Sequence, residues 1–296
     1  MPLRPDHDNC YVQGIRRAEQ DGLIAYAGKK PDDRSVISDD YSHIRPGGDA
    51  PLSLKCTNTR PLSFLARQVL NLYRNDSGVR FLELGPGAGA ACAAVNRLLP
   101  DAEIDTVSLT PLNPYLRFRC DDVHGHIAEP NAHEKTLSCF YEPCSRPFVR
   151  NQYIGRFPNE ICPRQNNYHF IYENHGAMFY NFDPNERGGV VAKLARASIA
   201  AALSLLRPDG TMVIMASDGT YRIEDALQSM TSGTDVIVIC ERTLAYHSLP
   251  CIVAKQQSPL TARLRESQHG LLRKSERVVR LELGVLDSVI SKICAL

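Results

Sequence analysis

The chain's apolar positions change period several times, and the changes divide it into elements. Residues 1–60 hold only short periodic pieces between runs such as Lys29-Lys30-Pro31-Asp32-Asp33-Arg34 and Arg45-Pro46-Gly47-Gly48. That segment is expected to be an arm or lid packed on something larger. From Pro61 onward Leu62, Leu65, Ala66, Val69, Leu70 and Leu72 recur at helical spacing, and Asn75-Asp76-Ser77-Gly78 stops the helix. Val79–Leu84 then reads as a buried strand, Ala88–Leu99 as an Ala-rich helix closed by Pro100, and Glu103–Leu109 as a second strand. Phe148–Phe157 and Tyr168–Tyr172 are the third and fourth strands, with an irregular insertion at about 111–147 before them. Val190–Leu206 predicts a long helix, turned sharply by Arg207-Pro208-Asp209-Gly210 into a strand at Thr211–Ala216. Arg222–Met230 reads as a helix, and Asp235–Cys240 and Ser248–Ala254 as the last two strands. From Leu260 the spacing of Leu272, Val279, Leu283, Leu286, Ile290 and Ile293 predicts a helical tail.

Strands alternating with helices imply a mostly parallel sheet covered on both faces. The expected fold is therefore a Rossmann-like, doubly wound α/β domain with seven strands over residues 61–256. The arm at 1–60 precedes it and a C-terminal helical extension at 257–296 follows it.

Composition narrows the picture. The chain has 296 residues, 43% hydrophobic and 23% charged, an ordinary globular balance. Lys plus Arg number 34 against 33 Asp plus Glu, so no global charge draws it to nucleic acid. No apolar run reaches the length of a membrane helix, and Met1–Asp6 lacks the apolar stretch of a secretory signal. Ten cysteines are scattered rather than clustered, and reduced thiols in a cytosol are the simpler expectation. Cys120, His124, His126, His133, Cys139, Cys144 and Cys162 fall within 43 positions in the least regular part of the chain, but no Cys-x-x-Cys pair occurs. No metal is expected; the insertion is read as a cover over a substrate pocket.

The sharpest chemical signal is Glu83-Leu84-Gly85-Pro86-Gly87-Ala88-Gly89, between a strand and a helix. Glycines let the chain turn tightly and approach a ligand, and the helix that follows presents free N–H groups. A carboxylate ending the strand accepts hydrogen bonds from a cationic or hydroxyl-bearing ligand.

Phe81–Gly89 resembles the first motif of the class I S-adenosylmethionine-dependent methyltransferases, an acid followed by Gly-x-Gly-x-Gly. Leu205–Ile214 looks like the family's helix, Pro–Gly turn and fifth strand, and Tyr168–Gly176 occupies the place of its fourth strand and loop. The likeness spans about residues 61–256. It implies S-adenosyl-L-methionine as cofactor, with Glu83, Gly85, Gly87 and Gly89 around its methionine part. Two departures stand out. The family usually ends its second strand with an acid that holds the ribose hydroxyls, and here that place is Ser108. Asp105, three residues earlier, faces the other side by strand alternation. Many relatives also carry an acid for the adenine amine where this chain has Gly155-Arg156-Phe157, and a guanidinium accepts no hydrogen bond.

Catalytic residues in such enzymes follow the fourth strand. Glu173 and His175, in Tyr172-Glu173-Asn174-His175-Gly176, are therefore the candidates for a base or acceptor-orienting group, against the plainer reading that they only line the loop. The Asp/Asn-Pro-Pro-aromatic motif of amino-methylating nucleic-acid enzymes is absent there. Pro143-Cys144 lies before the fourth strand rather than after it, unlike the nucleophile of cytosine-carbon enzymes.

The expected activity is methyl transfer to a small-molecule or protein acceptor. Two alternatives stay open: a non-catalytic protein on the same fold, suggested by Ser108 and Arg156, and a nicotinamide-dependent oxidoreductase, whose fingerprint tolerates Ala90 in its third position. The tail from Lys255 carries eight Lys or Arg against four Asp or Glu. Its apolar stripe is either a homodimer face or a contact with its own domain.

Overall fold

A computed structural model describes residues 5–28, 62–87, 89–120, 139–174, 177–179, 189–215, 235–241, 250–267, 278–281 and 285–295. The elements are α1 (Pro5–Gln20), β1 (Ile24–Tyr26), α2 (Phe64–Leu70), β2 (Arg80–Leu84), α3 (Ala90–Leu98), β3 (Glu103–Ser108), β4 (Leu116–Cys120), β5 (Cys139–Pro143) and β6 (Asn151–Ile154). They continue with β7 (Tyr168–Glu173), α4 (Gly189–Leu205), β8 (Leu206–Ile214), β9 (Val236–Glu241), β10 (Cys251–Lys255), α5 (Pro259–Glu266), β11 (Val278–Leu281) and α6 (Leu286–Ala295).

Nine strands form one sheet in the order β1-β6-β3-β2-β7-β8-β10-β9-β11. All its pairings are parallel except those of β10 with β8 and β9. The central strands read as apolar runs because both their faces are buried. Phe81, Ile104, Phe170 and Tyr172 belong to one core with α2, α3, α5 and α6, while Leu82, Leu84, Val107 and Ile171 belong to another with α4. The mostly parallel, two-faced sheet agrees with the expected fold class.

The strand count differs from the expected seven, and the additions are at the two edges. In the segment read as an arm, Ile24–Tyr26 pairs with Gln152–Ile154 and extends the sheet. Three residues are too short for periodicity to reveal.

At the other edge, the tail read as one helix is α5, a strand and α6. Val279 lies on β11, parallel to β9, because β-branched Val278-Val279 beside an open strand edge favours pairing over a helical turn. Leu286, Ile290 and Ile293 do share a helical face, but α6 packs it against α2 inside the chain. Of the stripe offered as a homodimer face, Val279, Leu286, Ile290 and Ile293 belong to the core. Leu272, Leu283 and the expected helix at Arg222–Met230 lie outside the described residues.

The insertion also holds order the sequence reading missed. β4 and β5 pair antiparallel, and Leu116-Arg117-Phe118-Arg119 alternates apolar and basic as a two-sided strand does. The expected turn at Arg207–Gly210 is a large bulge within β8, since Leu206 pairs with Tyr168 and Thr211 with Phe170. A Cβ on Gly210 would sit 2.8 Å from the Tyr168 carbonyl oxygen, so only glycine allows that approach. No helix among the described residues is long and apolar enough to cross a membrane, and no His, Cys, Asp or Glu cluster among them could hold a metal.

Candidate cofactor site

From β2 the chain moves outward to β3 and then β6; it then returns to the other side of β2 for β7 and β8. The order reverses between β2 and β7, and open α/β sheets bind ligands outside the carboxyl ends of the strands at such a reversal. This is the Rossmann-like sheet that the resemblance implied. Gly85 to Gly89 follow β2 at that point, Glu173 ends β7 beside Leu84, and Ser108 ends β3. The sequence-predicted residues within the described set therefore converge on one end of the sheet. His175 lies outside the described residues.

The glycine turn needs glycine at three places. Gly85, Gly87 and Gly89 have φ of +84°, +51° and +78°, a region other residues enter at a cost. Gly85 donates its N–H to the Val107 carbonyl at 2.8 Å, tying the turn to β3. Gly89 closes a turn on Pro86 and is the N-cap of α3. A Cβ on Gly89 would lie 3.5 Å from Leu112, whereas one on Gly87 would meet nothing within 4 Å among the described residues. The turn is thus walled at Gly89 and open at Gly87.

Glu83 is buried, and its Oε2 accepts from the Cys92 N–H at 3.0 Å and from the Cys92 thiol at 2.8 Å. Cys92 sits in the first turn of α3, so the carboxylate satisfies a helix-end donor and places negative charge at the dipole's positive end. Burial, then the Glu83 charge, pushes the Cys92 thiol well above its ordinary value. Glu83 thereby fixes where α3 begins.

Ser108 shares the face of Glu83, by the register of Glu83 with Thr106. Its hydroxyl donates to the Thr110 carbonyl, so its proton is committed within its own loop. Asp105 does not stand in for a missing acid. It pairs in register with Leu82 on the opposite face, and its carboxylate accepts from Asn151 Nδ2 and from the Tyr168 hydroxyl, both at 2.7 Å.

Burial raises the Asp105 carboxyl above its usual range, while the Tyr168 and Asn151 hydrogen bonds and the Arg150 charge pull it back down. An acid whose folded pKa is raised contributes stability below its unfolded pKa and loses it as pH rises through the folded pKa. Tyr168→Phe removes a donor to the charged form, so it raises the pKa further. The expected cost is about 1.5 kcal/mol at pH 7 and less near pH 4, read by urea unfolding at the two pH values. An equal loss at both would contradict the assignment.

Glu173 is fully buried, and its Oε2 accepts from the Met178 N–H at 3.3 Å. Its carbonyl accepts from Met215 N at 2.7 Å. The side chain thus ties the end of β7 to the backbone of Met178. Arg156, where the resemblance would place an acid for the adenine amine, is exposed, and its backbone N–H donates to Glu160 Oε2 at 2.9 Å.

Sequence reasoning missed Gln152 and Leu112. Gln152 is buried in β6; its Oε1 accepts from Leu112 N at 2.8 Å and its Nε2 donates to Leu112 O at 2.9 Å. The signal was an amide at an inward position of β6, which must find partners when buried.

No protein-family model matches the chain, and no curated protein matches it. Among solved structures, it is similar to a TehB-like SAM-dependent methyltransferase from Corynebacterium glutamicum, at 12% identity and TM-score 0.40 over 85% of this chain and all (100%) of that one. It is also similar to N-methyltransferase NodS from Bradyrhizobium japonicum, at 13% identity and TM-score 0.37 over 64% and 93% of the two chains. The same enzyme in complex with S-adenosyl-L-homocysteine gives 15% identity and TM-score 0.35 over 65% and 86%. Identities this low leave the function to be decided by this chain's own residues.

Proposed function

We propose that this chain binds S-adenosylmethionine outside the carboxyl end of β2 and transfers its methyl group to a small-molecule or protein acceptor. The observation that carries this reading is the turn from Gly85 to Gly89 at the point where strand order reverses. Three left-handed glycines, an open direction at Gly87 and an α3 start fixed by Glu83 make a cradle a ligand can enter. The cofactor supplies an activated methyl on a sulfonium. The chain's part is to bind it, hold the acceptor in line with that methyl and exclude water. Glu83 keeps the N-terminal turn of α3 in place, and the wall at Leu112 bounds the turn near Gly89. A cytoplasmic setting is part of the same proposal, supported by the free thiols of Cys92, Cys144, Cys162, Cys240, Cys251 and Cys294.

A second reading, a non-catalytic protein on this fold, is favoured by Ser108 and Glu173. One directs its hydroxyl into its own loop and the other anchors a backbone N–H. Calorimetric titration with S-adenosylmethionine and S-adenosylhomocysteine tests the cofactor. Micromolar binding of both is expected, and binding of neither removes the methyltransferase. Reduced nicotinamide cofactor in the same cell is expected to give no heat; if it alone binds, the oxidoreductase takes its place. Binding without transfer of labelled methyl to any acceptor in an extract would favour the non-catalytic protein.

A further inference from the structure

The loop after β3 is held from two sides, and the holding residues are not those of the first motif. From within the sheet, the buried Gln152 amide pairs with both backbone groups of Leu112, as one strand pairs with another. From outside, α1 lies against the next three residues. A Cβ on Gly14 would sit 2.0 Å from Asn113 Nδ2, so the helix backbone touches that side chain. Asn113 is buried and cannot swing away freely, because its Oδ1 accepts from Tyr115 N at 2.9 Å. The Arg17 guanidinium stacks 4.1 Å above the Tyr115 ring, and the Tyr115 hydroxyl donates to Asp21. Ile15 and Ala18 bury the apolar side of the same helix. Leu112, gripped between these contacts, is the side chain that walls the glycine turn at Gly89.

We propose that Gln152 is a positioning residue for the nucleoside side of the cofactor site, with α1 bracing the same loop through Gly14 and Asn113; this rests on the cofactor reading above. In the usual arrangement a carboxylate at the end of the second strand holds the ribose. Ser108 has no such charge, and its proton is committed to Thr110. Shape therefore replaces charge: the Leu112 side chain, buried in the core, holds in place the loop that walls the site, which lowers the ordering cost of binding. Leu109, a large apolar side chain left 42% exposed at the head of this loop, offers that wall a face for a planar base.

The test uses the whole chain with two variants, Gln152→Leu and Gly14→Val. Gln152→Leu removes both bonds to Leu112, and Gly14→Val pushes α1 off Asn113 from a position that is itself outside the sheet. Without any ligand, hydrogen exchange at the Leu112 amide should quicken about tenfold or more in Gln152→Leu. Gly14→Val should quicken exchange across 112–115 and leave β2 and β7 protected. In calorimetry, both variants should weaken S-adenosylhomocysteine and adenosine by a similar factor, about tenfold, because the loop that Leu112 anchors borders the nucleoside side. A merely structural defect would instead lower protection throughout the sheet. Unchanged exchange at Leu112 overturns the clamp whatever binds. Quickened exchange with undiminished affinity overturns its role in positioning. A wild-type chain that binds neither compound overturns the cofactor reading itself, and the exchange result then stands as a property of the fold.

Should Gln152→Leu fail to fold, Gly14→Val alone decides. Its substitution lies on a helix outside the sheet, and its expected exchange and binding changes have the same sign.

Discussion

Gly87→Asp is expected to lower affinity for S-adenosylmethionine and S-adenosylhomocysteine by more than about 100-fold while the chain stays folded. The separation of the two effects follows from the local geometry. At φ +51° an L-residue carries a strain of ~1–2 kcal/mol, and aspartate is among the residues that tolerate it best. The new Cβ meets no atom of the described residues within 4 Å, so no core contact among them is broken. A carboxylate just before α3 also interacts favourably with the helix dipole, by ~0.3–1 kcal/mol, which offsets part of the strain. The melting temperature should therefore fall by only a few degrees. The open direction at Gly87 is where the new side chain would stand, and it is the entrance proposed for the ligand. Calorimetric titration beside a thermal scan reads both quantities. A variant that binds within threefold of wild type would remove the glycine turn from the site.

The central sheet was legible because its strands are buried on both faces. Arg80–Leu84 and Tyr168–Glu173 carry Phe81, Leu82, Leu84, Phe170, Ile171 and Tyr172 on both faces, and turns at Asn75–Gly78 and Pro100 delimit the elements beside them. The edges were not legible. β1 is three residues long, and the apolar residues of β11 happen to fall in step with the helical spacing of α6. A single spacing pattern cannot distinguish a strand followed by a helix from one helix when a few residues satisfy both. In the site, the glycines were readable because only a left-handed turn needs them at that density. Glu83 was found for its place in a motif, yet the bond it makes in the structure is to α3, a partner no local pattern names. Gln152 and Leu112 are 40 residues apart, and their pairing is a property of the folded sheet. The opposite orientation of Asp105 and Ser108, by contrast, followed from alternation alone and agrees with the register.

Ser108→Asp should change affinity and stability in opposite directions. In the native chain the hydroxyl is buried, at 4% exposure, and donates to the Thr110 carbonyl. Aspartate has no proton to donate at neutral pH, so it would leave that carbonyl facing a carboxylate in a site with little water. An unmade hydrogen bond of this kind costs about 1–3 kcal/mol, and the unliganded chain should melt several degrees lower. A ribose hydroxyl arriving at the same place would donate to the new carboxylate. A charge-assisted bond contributes ~1.5–3 kcal/mol, so S-adenosylhomocysteine should bind about 10- to 100-fold more tightly. Excess ligand should then restore the lost melting temperature, because a tighter ligand stabilises the folded chain more at the same concentration. Thermal scans across a ligand series, with calorimetry at one temperature, measure both directions in one protein. If affinity falls together with stability, the end of β3 does not face the ribose. The loop beyond Ser108 would then be holding the chain together rather than shaping a site.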